Sequence, residues 1–168
     1  KSTIEFHNEN MFIYKHDQLY APKNIFIWFI LAMQGGILNV GGYMAVHRFV
    51  SHVTGFATLF GAQMSKGEWW DAFGMLLGPL FYIMGTIFSA WFIERPRHRS
   101  KEPRYPIVFS VIIFNLLILA FAGYLGFLGN FGEEFHNLND YLLLFVLALT
   151  CGIQNAVISS ASGAVIRT

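Results

Sequence analysis

The sequence predicts an all-α, polytopic bundle of transmembrane helices, and three observations carry that expectation. Hydrophobic residues make up 55% of the chain and aromatic residues 17%. Only 12% are charged, about half of what a soluble domain keeps. Four runs contain no Asp, Glu, Lys or Arg: Ile25 to Val46, Ala72 to Ile93, Ile107 to Leu128 and Tyr141 to Ile166. Each exceeds the roughly 20 residues that a helix needs to cross about 30 Å of hydrocarbon. The same composition excludes a disordered, collagenous or nucleic-acid-coating protein, so nucleic acid is not an expected partner. A single cysteine, Cys151, excludes an intrachain disulfide and any multi-cysteine metal site.

Residues 1–24 mix aromatic and polar side chains, with Lys1, Lys15 and Lys23 balanced by Glu5, Glu9 and Asp17. They read as a tail or interfacial segment ahead of a membrane domain over residues 25–168. The first span is residues 25–46. Next comes an uncharged stretch, 50–64, which at about 1.5 Å per residue reaches roughly 22 Å and is either a short tilted span or a half-helix. Spans 72–93, 107–128 and 141–166 follow. If 50–64 crosses, the five spans place Arg48, Arg95, Arg97, Arg99, Lys101, Arg104 and Arg167 on one side with only Glu94 and Glu102. Lys and Arg stay on the cytoplasmic face. The expected topology therefore has the amino terminus outside and loop 94–105 inside. A re-entrant 50–64 would break this alternation, so five crossings are expected. The dense Arg95-Pro96-Arg97-His98-Arg99 string is explained by topology alone. Trp28, Trp69, Trp70, Trp91, Tyr105 and Tyr141 sit at or near span ends, where aromatic rings suit the headgroup layer.

Within the spans, several residues do not suit lipid. The first carries Gln34-Gly35-Gly36-Ile37-Leu38-Asn39-Val40-Gly41-Gly42, and buried amides need partners while glycines permit close helix approach. Gly35, Gly36, Gly41 and Gly42, together with the Gly74-x-x-x-Gly78 pair, are therefore expected at helix packing faces. The last span has Gly152-Ile153-Gln154-Asn155, which matches Gly36-Ile37-Leu38-Asn39 and suggests a parallel three-helix repeat whose second copy is incomplete. Gln34, Asn39, Gln154 and Asn155 are candidates to line a substrate site, with interhelical hydrogen bonding as the alternative role. Arg48, His52 and Thr54 are candidates for its cytoplasmic edge or gate, combining a fixed cation, a titratable ring and a hydroxyl near a helix start. In the plainer reading, Ser51 or Thr54 caps that helix and Arg48 is an interfacial anchor.

Catalysis and metal binding lack residues. His47 and His52 are five apart, about 140° around a helix, and make poor joint ligands. Ser160-Ala161-Ser162-Gly163-Ala164 is similar to the Gly-x-Ser-Gly of rhomboid proteases, but Ser160 replaces the first glycine and no later histidine can serve as base. There is no P-loop, dinucleotide fingerprint or carboxylate pair. No enzyme activity, cofactor or metal is expected.

The string from Gly36 to Gly61, with Asn39-Val40-Gly41-Gly42 leading into Arg48-Phe49-Val50-Ser51-His52-Val53-Thr54-Gly55, and then Gly152-Ile153-Gln154-Asn155-Ala156, resembles the YoaK-like family of uncharacterised bacterial inner-membrane proteins. In that family's pattern an acidic residue commonly stands at the position of Asn39, and an asparagine often stands where this chain has Phe56. The resemblance implies a bacterial inner membrane and a chain truncated at Thr168, with further helices beyond. It supplies no substrate. The expected function is a transporter-like or permease-like protein for a small solute or ion. The alternative is a structural or assembly subunit whose polar positions only lock helices together. The lipid bilayer is the expected partner, and a homo-oligomer or larger membrane complex fits either reading.

Overall fold

The computed structural model describes residues 21–128 and 138–162. Helix α1 is Pro22–Val46, with its proline in the first turn, where the missing N–H costs nothing. It ends where His47 turns left-handed at φ 52° and donates its N–H to Tyr43 O at 2.8 Å. Helix α2, Val53–Lys66, stops at Gly67, whose φ of 78° suits glycine. Helix α3, Trp69–His98, follows after one further residue and carries Pro79 and Pro96 inside it. Helix α4 is Tyr105–Tyr124 and α5 is Leu138–Ala161. All regular structure among the described residues is helical. Helices α1, α3, α4 and α5 are long and apolar enough to cross a membrane. The 14 residues of α2 give about 21 Å, short of a full crossing.

Helix α5 is the centre of the bundle and the most buried span. It runs parallel to α3: Tyr141 meets Asp71 near the start of both, and Gly152 lies against Tyr82 further along. Helix α4 is antiparallel to α5, with Val108 and Ile112 packed among Ile153 and Val157, and Asn115 level with Thr150. Helix α1 is antiparallel as well. Its Leu31 receives Gln154, while Val46 joins the cluster around Leu143, Leu144 and Leu147. Helix α2 folds back along α3 as a hairpin, Phe56 seated at Gly78 and Phe60 edge-on to Phe73 at 6.3 Å.

These directions depart from the five-crossing alternation. The amino end of α1 stands at the same end of the bundle as residues 99–104, and Arg48, Lys66, Glu68, Asp71 and Asp140 stand at the other. The cause is the start of α2. Val50, just before it, is fully buried, and Phe56 packs at Gly78, about 13 Å along α3 from Trp69. The chain thus leaves α1, turns with Val50 tucked into the bundle and returns toward the end that α1 was approaching. Antiparallel α1 and α5 likewise lack the common direction that a parallel repeat of their Gly-Ile-x-Asn strings requires. Residues 1–20 of the expected tail, residues 129–137 and residues 163–168, including Gly163, lie outside the described residues.

Glycines set the closest approaches. Tyr82 O is the nearest atom to a methyl placed on Gly152, and Leu149 O to one placed on Gly85, so α3 and α5 touch backbone to backbone. Gly74 accommodates the Tyr141 ring, Gly78 the Phe56 ring, and Gly42 lies 2.6 Å, measured from a built Cβ, from a methyl of Val50. Gly36 and Gly41 differ from expectation. Nothing lies within 4 Å of a methyl at either, because they are on the exposed side of α1.

Candidate functional site

Two polar places stand out in the apolar bundle. The first is the middle of α5. Asn155 Nδ2 donates to the Tyr82 hydroxyl at 2.8 Å, joining α5 to α3. One residue earlier, Gln154 turns to the opposite neighbour and donates from Nε2 to Leu31 O of α1 at 3.2 Å. Thr86 Oγ1 donates to Tyr82 O at 3.1 Å, within its own helix, with Gly152 O at 3.5 Å across the interface. Further along, Asn115 Nδ2 of α4 donates to Thr150 Oγ1 at 3.3 Å, and that hydroxyl donates to Val146 O at 2.8 Å. Hydrocarbon offers no hydrogen bonds, so each of the links between helices fixes a pair of them.

The second place is the break between α1 and α2. Asn39 Oδ1 accepts the Ser51 N–H at 3.2 Å, bridging the connection back onto α1. Tyr43 stacks on Phe49 at 4.6 Å, and Phe49 lies 5.2 Å from the His52 ring. Arg48 is half-buried, donates to His47 O at 2.9 Å and stands within electrostatic reach of Tyr141. Tyr141 in turn donates to Asp71 Oδ1 at 2.7 Å. A bond to a charged acceptor contributes about 1.5–3 kcal/mol. Tyr141→Phe is therefore expected to lower the unfolding free energy by about 2 kcal/mol, with Gly74 still holding the ring; an unchanged melting curve would deny the bond that weight.

The expected site residues divide between these places. Gln34 is half-buried on the inward stripe of α1, one turn from Leu31, and so shares the neighbourhood of Gln154. Asn155 faces α3 instead. Asn39 belongs to the helix break, about 12 Å along α1 from Leu31, so it and Asn155 serve separate contacts. Arg48 is set between the break and α5, whereas His52 and Thr54 are exposed. His52, not Ser51 or Thr54, occupies the cap position of α2, and no side chain bonds that helix end. Of the expected packing glycines, Gly42, Gly74 and Gly78 are in tight contacts, Gly35 is half-buried, and Gly36 and Gly41 are open. Ser162 is buried and its hydroxyl lies 3.4 Å from Ser159 O. No group of three metal-ligating side chains occurs among the described residues. The sequence reading omitted Tyr82, Thr86, Asn115 and Thr150; their signal was a polar group inside an uncharged run.

The fold and its polar interior define a polytopic helical membrane protein. Residues 27–168 match the family described as a protein of unknown function, DUF1275, and the chain belongs to that family. Membership agrees with the resemblance to an uncharacterised family, without carrying the YoaK-like name. No curated protein and no solved structure gives a significant match.

Proposed function

We propose that this protein moves a small solute across a membrane, with the polar groups of α1, α3 and α5 lining its path. The observation that carries this reading is the break between α1 and α2, which Val50 anchors in the bundle. Non-helical backbone at membrane depth is tolerated only where protein buries it or where it lines a cavity. Transporters build their sites from helices interrupted in this way. Here Val46, which ends α1, and Val50, within the break, are 1% and 0% exposed, and Asn39 supplies a side-chain acceptor for the backbone of the break. Arg48 and the half-helix α2 would form the edge of the path at that end. The chemistry on offer is hydrogen bonding and positioning, with no catalytic step.

The test is uptake by cells or proteoliposomes containing the protein, surveyed across small solutes. We expect at least one solute to accumulate differently from empty controls, and that difference to vanish in Asn39→Ala and in Asn155→Ala. Identical solute profiles with folded protein in the membrane would reject transport and favour an assembly subunit.

The orientation follows from the same arrangement. Lys23, Arg95, Arg97, Arg99, Lys101 and Arg104 share one end with Glu94 and Glu102, while Arg48 and Lys66 share the other with Glu68, Asp71 and Asp140. Basic residues mark the cytoplasmic side. In a bacterial inner membrane, four crossings then put the amino end of α1 and the 99–104 loop in the cytoplasm and α2 at the outer end. Single-cysteine variants test this in a Cys151→Ser background. Lys66→Cys is expected to react with an impermeant maleimide in intact cells and Lys23→Cys only after lysis. Five crossings would expose both.

A further inference from the structure

Gln154 is 2% exposed, in the middle of α5. Its Nε2 donates to Leu31 O, which fixes the orientation of the amide, because a carbonyl can only accept. The other end of the amide, Oε1, meets no donor among the described residues. Leu31 O is a carbonyl inside α1 that the helix already employs, so the bundle does not need Gln154 to satisfy it. An unpaired acceptor held away from water is a standing penalty, and an apolar side chain of similar volume would avoid it. Gln154 therefore places an unused acceptor at mid-depth.

The surroundings restrict what could use it. The stretches Ile25–Val46 and Tyr141–Ala161 contain no charged residue, so an ion at this level would find no counter-charge on either helix. Gln34, one turn from Leu31 on the same stripe of α1, adds a neutral amide. We infer that Gln154 Oε1 accepts a hydrogen bond from a small neutral solute bearing N–H or O–H donors, bound between α1 and α5 with Gln34 as a second contact. The inference rests on the transport reading for the route by which that solute arrives, and it names the class of solute carried.

The test is thermal unfolding of the full chain in nanodiscs, titrated with acetamide, with N,N-dimethylacetamide, which lacks a donor, and with methylammonium chloride, which is charged. Acetamide is expected to raise the melting temperature in a dose-dependent way, and the other two are not. The rise should disappear in Gln154→Met. In Gln34→Leu, which keeps the Gln154 to Leu31 bond, it should need about tenfold more acetamide; this variant also decides the matter should Gln154→Met fail to fold. Equal responses to acetamide and dimethylacetamide, no response at all, or an acetamide response unchanged in both variants would overturn the proposal. A methylammonium response lost in Gln154→Met would overturn it in favour of a cation. Gln154-dependent binding with no flux of any solute would sink transport and leave the site standing. Flux with no Gln154-dependent binding would do the reverse.

Discussion

Alanine at Gly152 or at Gly85 should cost this protein about 3 kcal/mol of stability, at the upper end of the usual range for overpacking. The methyl of Gly152→Ala would land on Tyr82 O, and that of Gly85→Ala on Leu149 O. Both obstacles are backbone, so no change of rotamer relieves them, and the two helices must separate along the whole of their contact. Such a separation also strains the bonds from Asn155 to Tyr82 and from Tyr141 to Asp71, which hold the same helix pair together. Valine at either position should leave no folded protein in detergent. Gly36→Ala and Gly41→Ala are the controls: nothing lies within 4 Å of either methyl, and alanine favours a helix over glycine by up to about 1 kcal/mol. Their melting temperatures should stay level or rise. Four equal effects would mean that α3 and α5 do not approach as described.

Phe56→Ala should cost about 3 kcal/mol, the lower end of what removing a buried phenylalanine costs elsewhere. Phe56 is 2% exposed. A Cβ on Gly78 would lie 2.8 Å from its ring, so the ring occupies space that only a glycine leaves. Association of helices in lipid depends on such van der Waals fit, since hydrocarbon tails are as apolar as the side chains. Losing the ring should free the half-helix α2 from α3. The pairing can be isolated by a double-mutant cycle. Gly78→Ala should destabilise the wild type by forcing the ring aside, yet have a much smaller effect when Phe56 is already alanine. Additive effects would place Phe56 elsewhere.

How much of this was legible in the sequence depended on the type of signal. The spans were, because the exclusion of charge from a helix crossing lipid depends on the solvent and not on any neighbour. The run Ile25 to Val46 became α1 with three residues added at its start, and the 50–64 stretch became a shorter helix beginning at Val53. Which side of a span faces inward was harder to read. In water, an outer face is polar and betrays itself by periodicity. In lipid, Ile37 and Val40 on the outside of α1 are as apolar as Leu38 and Val46 within. Hence Gly36 and Gly41, which look like packing residues, are open, while Gly85, which no neighbouring motif marks, lies at one of the two tightest glycine contacts. The amides are conspicuous in an apolar run, but their partners come from distant parts of the chain. Asn39 bonds a residue 12 positions away and Asn155 one 73 positions away, and no local pattern encodes either pairing. The direction of α2 is hidden for a similar reason: charge counting favours one alternation, while the seating of Phe56 at Gly78 depends on a contact that no local pattern encodes.

The central position of α5 bears on how the chain is made. It is the last of the five helices to be synthesised, yet α1, α3 and α4 all pack on it. The α2–α3 hairpin can form as soon as it emerges. Helix α1 leaves the ribosome before the other four, and among the described helices its contacts in the finished bundle are with α5. It must wait in the bilayer through the synthesis of about 90 further residues, from Val46 to Leu138. Insertion and assembly are thus separated in time, and the earliest of these five helices to be made is among the last to dock.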